Sequence, residues 1–336
     1  MCANETEMQT ELNNNIRHQR RIMRERGICV VIPTYNNAST ICDVVGRTRL
    51  QCDDVIVVCD GSTDGTAELL RSMEGITLVE NARNGGKGEA LKLGFRKAIS
   101  MGFAYAVTLD ADGQHFPEDI PVLLSANIKH PGKLIVGQRR GLDKADRSLG
   151  SKFANAFSNF WFCVQTGVML KDTQTGYRLY PLRKLHGLSL LTSRYEAELE
   201  LLVFSSWHGV DIISEEVSVY YPPREERVSH FRPVADFTRI SVLNTILCVL
   251  AIVYALPLKI LRVLLVFLRT TYSLIAYLVF CFVLLLPMTL VLRATRVRRE
   301  KTSAILHRLL NSVAKLIVLR HGIPGVRYSV ENDGAL

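Results

Sequence analysis

The 336-residue chain has no Asp, Glu, Lys or Arg over Ile240–Leu258, 19 residues, or over Thr270–Leu292, 23 residues. About 20 apolar helical residues cross a bilayer's hydrocarbon core, so both stretches qualify as membrane spans. CxxC pairs and Cys/His clusters at zinc spacing are missing too. The eight cysteines, at positions 2, 29, 42, 52, 59, 163, 248 and 281, are scattered, several of them in apolar runs. That pattern excludes a zinc ribbon and predicts reduced thiols in a reducing compartment. Neither GxxxxGK[ST] nor GxGxxG occurs, which excludes a P-loop and counts against a dinucleotide fold. The opening residues, MCANETEMQTELNNNIRHQRRIMRERG, lack the apolar region of a secretory signal and read as a polar lead-in. The net charge of +9 comes without an RNA- or DNA-binding motif, so no nucleic-acid partner is expected.

That positive charge gathers beside the apolar stretches. RATRVRRE follows the second, and Arg232 and Arg239 precede the first. By the positive-inside tendency both flanks face the cytoplasm, which predicts a hydrophobic helical hairpin whose connection carries Lys259, Arg262 and Arg269, with a re-entrant or half-inserted hairpin as the alternative that those three charges leave open. Further on, Ile305, Leu306, Leu309, Leu310, Val313, Leu316 and Ile317 recur at helical spacing near Arg308, Lys315 and Arg320. This is the pattern of a basic amphipathic helix on the inner leaflet, or of a helix packed on the soluble part. The expected organisation is a lead-in over 1–26, a soluble domain over 27–232, two membrane helices over 233–299 and a basic helix and tail over 300–336.

In the soluble part, ICVVIP (Ile28–Pro33), Val55–Cys59, ITLVEN and YAVT are apolar, β-branched runs bounded by turn residues, as buried strands are. Between them lie helical patterns, one from about Thr66 and one with Ala90, Leu91, Leu93, Phe95 and Ile99 on its apolar side. Strand alternating with helix predicts a parallel-type α/β sheet with helices on its faces. Ligands bind such sheets beyond the carboxyl ends of the strands. The polar clusters Thr34–Asn37, Asp60–Asp64, Asn84–Lys87 and Asp110–Gln114 all fall at such ends.

Asp110 and Asp112 stand one residue apart where VTLDADGQH leaves its strand. Alone, the pair reads equally as a solvated acidic turn or as a cation site, because two carboxylates on one side repel each other. Four polar clusters at one sheet edge favour the site. With Gln114 and His115 following and Gly113 permitting a tight turn, the donor set suits a hard cation, Mg²⁺ or Mn²⁺. The Gly-rich NGGKG can bring backbone N–H groups to phosphate oxygens, with Lys87 as a point charge.

In order, VVIPTYNN, VIVVCDGSTDGT, NGGKGEALKLGF, LDADGQH and DTQTGYRLY resemble the landmarks of the family 2 glycosyltransferases, nearest to their dolichyl/polyprenyl-phosphate sugar synthase branch. The resemblance runs from about Gly27 to Ser229 and implies the GT-A nucleotide-binding fold. It implies that Pro33 and Tyr35 line the base and that Asp60 reads base or ribose. By the same likeness Asp110, Asp112 and Gln114 hold the metal on the donor diphosphate, while Lys87 and Arg139, from VGQRR, neutralise phosphate charge. Where the family often has two acids before GSTDGT, Cys59 takes the first place, which leaves uracil against guanine open. Among the glutamates of RYEAELELL, Glu198 is the candidate general base, weighed against solvated helix glutamates. Gly176 and Arg178 are expected on the acceptor side. Arg224, Arg227, Ser229 and Arg232 match that branch's basic loop for the lipid phosphate, although RVSHF lacks its Gly before Ser-Lys. Such a segment is also what anionic lipids attract.

The activity implied is inverting transfer of a sugar from a UDP- or GDP-sugar to a lipid acceptor, polyprenyl phosphate first, at the cytoplasmic leaflet. A hydroxyl-bearing lipid or lipid-linked saccharide is the alternative acceptor. A processive polysaccharide synthase ranks lower, since no Gln/Arg-rich Trp motif is found. A sugar nucleotidyltransferase would show a GxGxR-type loop where this chain has PTYNN, and a non-catalytic membrane scaffold would not need Asp110, Asp112, Gln114 and Lys87 intact.

Overall fold

A computed structural model describes residues 2–141, 149–185, 187, 190–220, 233–280 and 308. The chain divides into two compact units, 1–251 and 252–336. The first unit opens with helix α1 (Cys2–Glu25), which leads into β1 (Ile28–Thr34), α2 (Ile41–Gln51), β2 (Val55–Asp60) and α3 (Thr66–Arg71). Then come β3 (Thr77–Asn81), α4 (Lys87–Ser100), β4 (Tyr105–Thr108), a 3₁₀ turn at Pro117–Asp119, α5 (Ile120–Lys129) and β5 (Leu134–Arg139). It is completed by α6 (Leu149–Thr166), β6 (Arg178–Pro181), α7 (Leu182–Leu185), α8 (Glu196–Trp207), β7 (Ile212–Val217) and α9 (Pro233–Leu250).

Seven strands form one sheet in the order β3-β2-β1-β4-β6-β5-β7. β1, β2, β3 and β4 are parallel, as the alternating pattern predicts. The sheet is mixed, however, because β6 runs antiparallel between β4 and β5, while β5 and β7 pair parallel. Every residue of β1 and β2 is buried, the behaviour of central strands covered on both faces. Period-two alternation sorts their side chains. Ile28, Val30 and Ile32 meet Ile41, Val44 and Val45 of α2 and Ile120 and Leu123 of α5 on one face. Cys29 and Val31 meet Ala90 and Ala98 of α4 on the other. At Gly94 a β-carbon would lie 2.4 Å from Val31 Cγ1, so glycine is what lets α4 lie this close to the sheet.

The lead-in is a helix fastened to this core. Met23 is buried, Gln19 reaches the Gln51 carbonyl at 3.2 Å, and Arg20 and Arg24 pair with Asp53.

Helical residues run without interruption from Pro233 to Phe280, through α9, a five-residue π segment at Ala251–Ala255 and α10 (Leu256–Phe280). Within this run Thr238–Val279 is long and apolar enough to cross a membrane. The charged connection expected between two spans is helix instead, for Lys259, Arg262 and Arg269 all lie inside α10. Their spacing puts the three cations along one side of a 3.6-residue helix, and Lys and Arg are good helix formers, so charge alone does not end it. Pro257, which has no N–H to donate, stands just after the irregular π segment. The end of the second apolar stretch from Cys281, the amphipathic pattern at 305–320 other than Arg308, and the basic segment 221–232 lie outside the described residues.

Candidate active site

The carboxyl ends of β1, β2 and β4 and the start of α4 enclose a cavity of about 720 Å³. Pro33, Tyr35, Asp60, Lys87, Asp110, Asp112 and Gln114, all singled out in the sequence, line it together. Asn84, Arg194 and Tyr195 line it as well.

Its upper loops are latched to one another. The Asn36 amide N–H donates to Ser62 Oγ at 3.1 Å, Thr63 N–H to Asn36 Oδ1 at 2.8 Å and Asn37 N–H to Thr66 Oγ1 at 3.0 Å. Cys59 is buried and donates its thiol to Ser62 Oγ at 3.3 Å. Asp60 is buried and engaged: Asn81 Nδ2 and the Gly85 N–H donate to Oδ1 at 2.9 and 3.0 Å, and the Gly86 N–H donates to Oδ2 at 2.7 Å. Its carboxylate therefore holds the Gly-rich turn in shape just ahead of Lys87.

The charged centre is a chain of three groups. Lys87 Nζ lies 2.7 Å from Asp110 Oδ1 and 2.9 Å from Glu198 Oε2. Burial by itself would lower the ammonium's pKa, but the two carboxylates outweigh it and keep Lys87 protonated. Burial likewise opposes ionisation of Asp110, and Lys87 overrides it and holds that carboxyl below its usual range. Asp112 has no such cation. Burial and then the charge of Asp110 push it up to about 6, against one hydrogen bond from the Gln114 N–H at 3.0 Å. At Gly176 a β-carbon would lie 2.6 Å from Asp110 Oδ2 and 2.7 Å from Lys87 Nζ, so any larger residue there would displace the charged ends of the pair.

The carboxylates of Asp110 and Asp112 and the amide of Gln114 converge on one cavity. One of the two acids lacks a compensating charge, which is the condition a hard divalent cation relieves. Among the described residues no group of three or more His, Cys, Asp or Glu could hold a metal, so any such ion would rely on the Gln114 amide and on the ligand it carries. His115 next to them is buried and packs at a tilt against Tyr177 with ring centroids 5.3 Å apart. Its pKa falls to about 4 through burial, so it is neutral at pH 7.

Other expected residues fall elsewhere. Arg139 is absent from the lining and makes a bidentate pair with Asp172, Nε to Oδ2 at 2.7 Å and Nη2 to Oδ1 at 2.9 Å. Arg178 is fully buried. Its guanidinium donates to Tyr180 Oη at 3.0 Å, the Glu198 carbonyl at 2.8 Å and the Thr173 carbonyl at 2.9 Å, which gives it a structural task in place of an acceptor contact. Glu200 caps the turn at Leu191 and Thr192, accepting from their N–H groups at 2.5 and 2.9 Å. Arg224, Arg227 and Ser229 lie outside the described residues. Asp172 escaped the sequence reading although it opens the quoted DTQTGYRLY, since its partner lies 33 positions away. Arg194 and Tyr195 precede the glutamates of RYEAELELL and carry no motif of their own.

Comparison with known proteins gives a consistent picture. The profile described as glycosyl transferase family 2 matches residues 29–166. A polyprenol monophosphomannose synthase of Mycolicibacterium smegmatis is 32% identical over 216 residues, 60% of this chain and 79% of that protein. A UDP-N-acetylglucosamine–dolichyl-phosphate N-acetylglucosaminyltransferase of Methanococcus voltae is 29% identical over 220 residues, 59% of this chain and 88% of that protein. Among solved structures, glucosyl-3-phosphoglycerate synthase of Mycobacterium tuberculosis, crystallised with Mn²⁺ and UDP-glucose, shares the fold. Its TM-score is 0.51 at 23% identity, covering 70% of this chain and 82% of that one.

Proposed function

The chain belongs to glycosyl transferase family 2, and from that premise we propose that it moves a sugar from a UDP- or GDP-sugar to polyprenyl phosphate at the cytoplasmic face of a membrane. Membership makes it a glycosyltransferase and removes the nucleotidyltransferase alternative. Both relatives named above, those of M. smegmatis and M. voltae, are named for a polyprenol or dolichol phosphate, which supports the acceptor class. Sidedness rests on the basic residues at both flanks of the apolar region.

One observation carries the choice of acceptor: the carboxylate of Glu198 is engaged with the protonated Lys87. A hydroxyl acceptor needs a base to take its proton, whereas a phosphate is already anionic at neutral pH and needs none. In this reading Glu198 is a positioning residue that aims Lys87. An oxygen of the acceptor phosphate attacks the anomeric carbon from the side opposite the nucleotide, the C–O bond to the diphosphate breaks, and configuration inverts. Lys87 offers its ammonium to the charge that gathers on the departing diphosphate. The Gly85 and Gly86 N–H groups, expected from the sequence to meet phosphate, are spent on Asp60, which fixes the turn and so places Lys87 toward the phosphates, and Pro33 and Tyr35 flank the base. Asp110, Asp112 and Gln114 would hold Mg²⁺ or Mn²⁺, which supplies further counter-charge there. Arg139 acts through Asp172, fixing the segment that carries Gly176 beneath Lys87. Arg224, Arg227 and Ser229 are proposed to meet the lipid phosphate, with Gly176 on the acceptor side.

The test is nucleotide release by detergent-purified protein given UDP- and GDP-sugars in turn with Mn²⁺, with polyprenyl phosphate, with polyprenol, or with neither. Release that requires the lipid phosphate supports the proposal. Preference for polyprenol moves the acceptor to a hydroxyl and restores Glu198 as base. Failure to bind any nucleotide sugar leaves a non-catalytic scaffold.

A further inference from the structure

Helix α6 is amphipathic the wrong way round for a soluble protein. Its inward positions are mostly polar: Asn155, Ser158, Gln165 and Thr166 are buried, with Phe162 the apolar exception. Its outward positions are apolar, with Phe153 63%, Phe160 60% and Val164 55% exposed. The outward side is a connected aromatic stripe, with ring centroids of Phe153 and Phe157 6.0 Å apart, Phe157 and Trp161 6.1 Å, and Phe160 and Trp161 5.3 Å. Water penalises such a stripe, and contiguous apolar patches on soluble surfaces mark a partner or a membrane. The neighbouring helix α9 packs on α6 and repeats the pattern, with Val242, Ile246 and Val249 exposed and Asn244 buried against Gln165.

We propose that the outward face of α6 lies in the headgroup–acyl boundary of the bilayer, a second membrane contact of the catalytic unit in addition to the long apolar helix. Lipid, and not a second copy of the chain, is the occupant because the surface is continuous with α9, and α9 opens the Thr238–Val279 segment that can cross a membrane. Aromatic and aliphatic side chains on one face, with the exposed Lys152 at the rim, are what an in-plane helix presents to that boundary.

The inward face ties this contact to the site. Asn159 Nδ2 donates to the Lys171 carbonyl at 2.7 Å, the Thr173 N–H donates to Asn159 Oδ1 at 3.0 Å, and Ser158 Oγ lies 2.8 Å from Thr173 Oγ1. That segment carries Asp172 and leads to Gly176 beneath Asp110 and Lys87. The membrane thus braces, through one helix, the segment that passes beneath Asp110 and Lys87, whichever acceptor the enzyme uses.

The chain has two tryptophans, Trp161 on this face and Trp207, which is buried. Full-length protein is reconstituted into phosphatidylcholine/phosphatidylglycerol vesicles with brominated acyl chains, and its emission is compared with that of Trp161→Phe. The proposal expects strong quenching of the native protein and loss of most of that quenching in Trp161→Phe. It also expects Phe153→Ser combined with Phe160→Ser to weaken the quenching while the circular dichroism is kept. Equal quenching of native and Trp161→Phe protein overturns it. So does a Trp161 that brominated lipid leaves bright but that is shielded from aqueous acrylamide in a cross-linkable dimer, which assigns the face to a second copy.

Discussion

At the scale of single residues the site turns on which carboxylate has a cation and which does not. Asp110 has Lys87 in contact, and Asp112 is half-buried beside it with no cation in contact. Asp112→Asn is expected to abolish Mn²⁺-dependent turnover while leaving the thermal unfolding midpoint at or above that of the native protein, since removal of an uncompensated charge relieves repulsion. Full activity in that variant would reduce the acidic pair to a turn. Glu198→Gln separates aiming from proton transfer. With polyprenyl phosphate as acceptor its turnover should stay within about tenfold of native, whereas loss of a true general base costs about 10²–10⁴. At Gly176 a methyl group would push Asp110 and Lys87 apart, and a misplacement of that size costs about 100-fold in turnover. A Gly176→Ala enzyme with native kcat would mean that the Lys87–Asp110 contact is dispensable.

Among the elements, the loop between α6 and β6 depends on one ion pair. Asp172 is fully buried and Arg139 nearly so. Burial alone would raise the Asp172 pKa, but the Arg139 bonds outweigh it and hold the carboxyl below its usual range. The stability this contributes is present above the unfolded-state pKa of about 4 and is lost as pH falls through the lower folded value. Asp172→Asn should cost about 3–5 kcal/mol near neutrality by breaking a buried charge pair, and should flatten the acid limb of a denaturation-against-pH series. An unchanged acid limb would show that other carboxylates set it. This loop also marks where sequence stops being readable. β1 and β2 are legible because strands buried on both faces are uniformly apolar, and the polar clusters at their ends locate the cavity. β6 is not, because RLYP is too short to show a period and its antiparallel insertion depends on partners far along the chain. Arg178 is expected on the acceptor side from its motif, yet its three hydrogen bonds are formed only once α8 and the Thr173 turn are in place. The connection at Lys259–Arg269 misleads for a related reason: charge signals exposure, and an exposed helix satisfies that as well as a turn does.

For the molecule as a whole, a long apolar helical segment and a basic surplus of +9 set the behaviour towards membranes. The chain should resist extraction from membrane fractions by high salt or alkaline carbonate and come out only in detergent, because apolar burial in lipid is insensitive to ionic strength. Release by salt alone would mean that Thr238–Val279 is not held in the bilayer core.

The Lys87–Asp110 contact has a consequence for the order of events in a cycle. Before donor arrives, half of the acidic pair is already neutralised from within, so a free divalent ion finds a weak host, whereas a nucleoside diphosphate gives the ammonium somewhere else to go. On the proposed function, cation and nucleotide are expected to arrive as one complex, and calorimetric titration with Mn²⁺ should yield little heat until UDP or GDP is present. In that sense the lysine acts as a placeholder, keeping the enzyme from committing to an ion that brings no substrate.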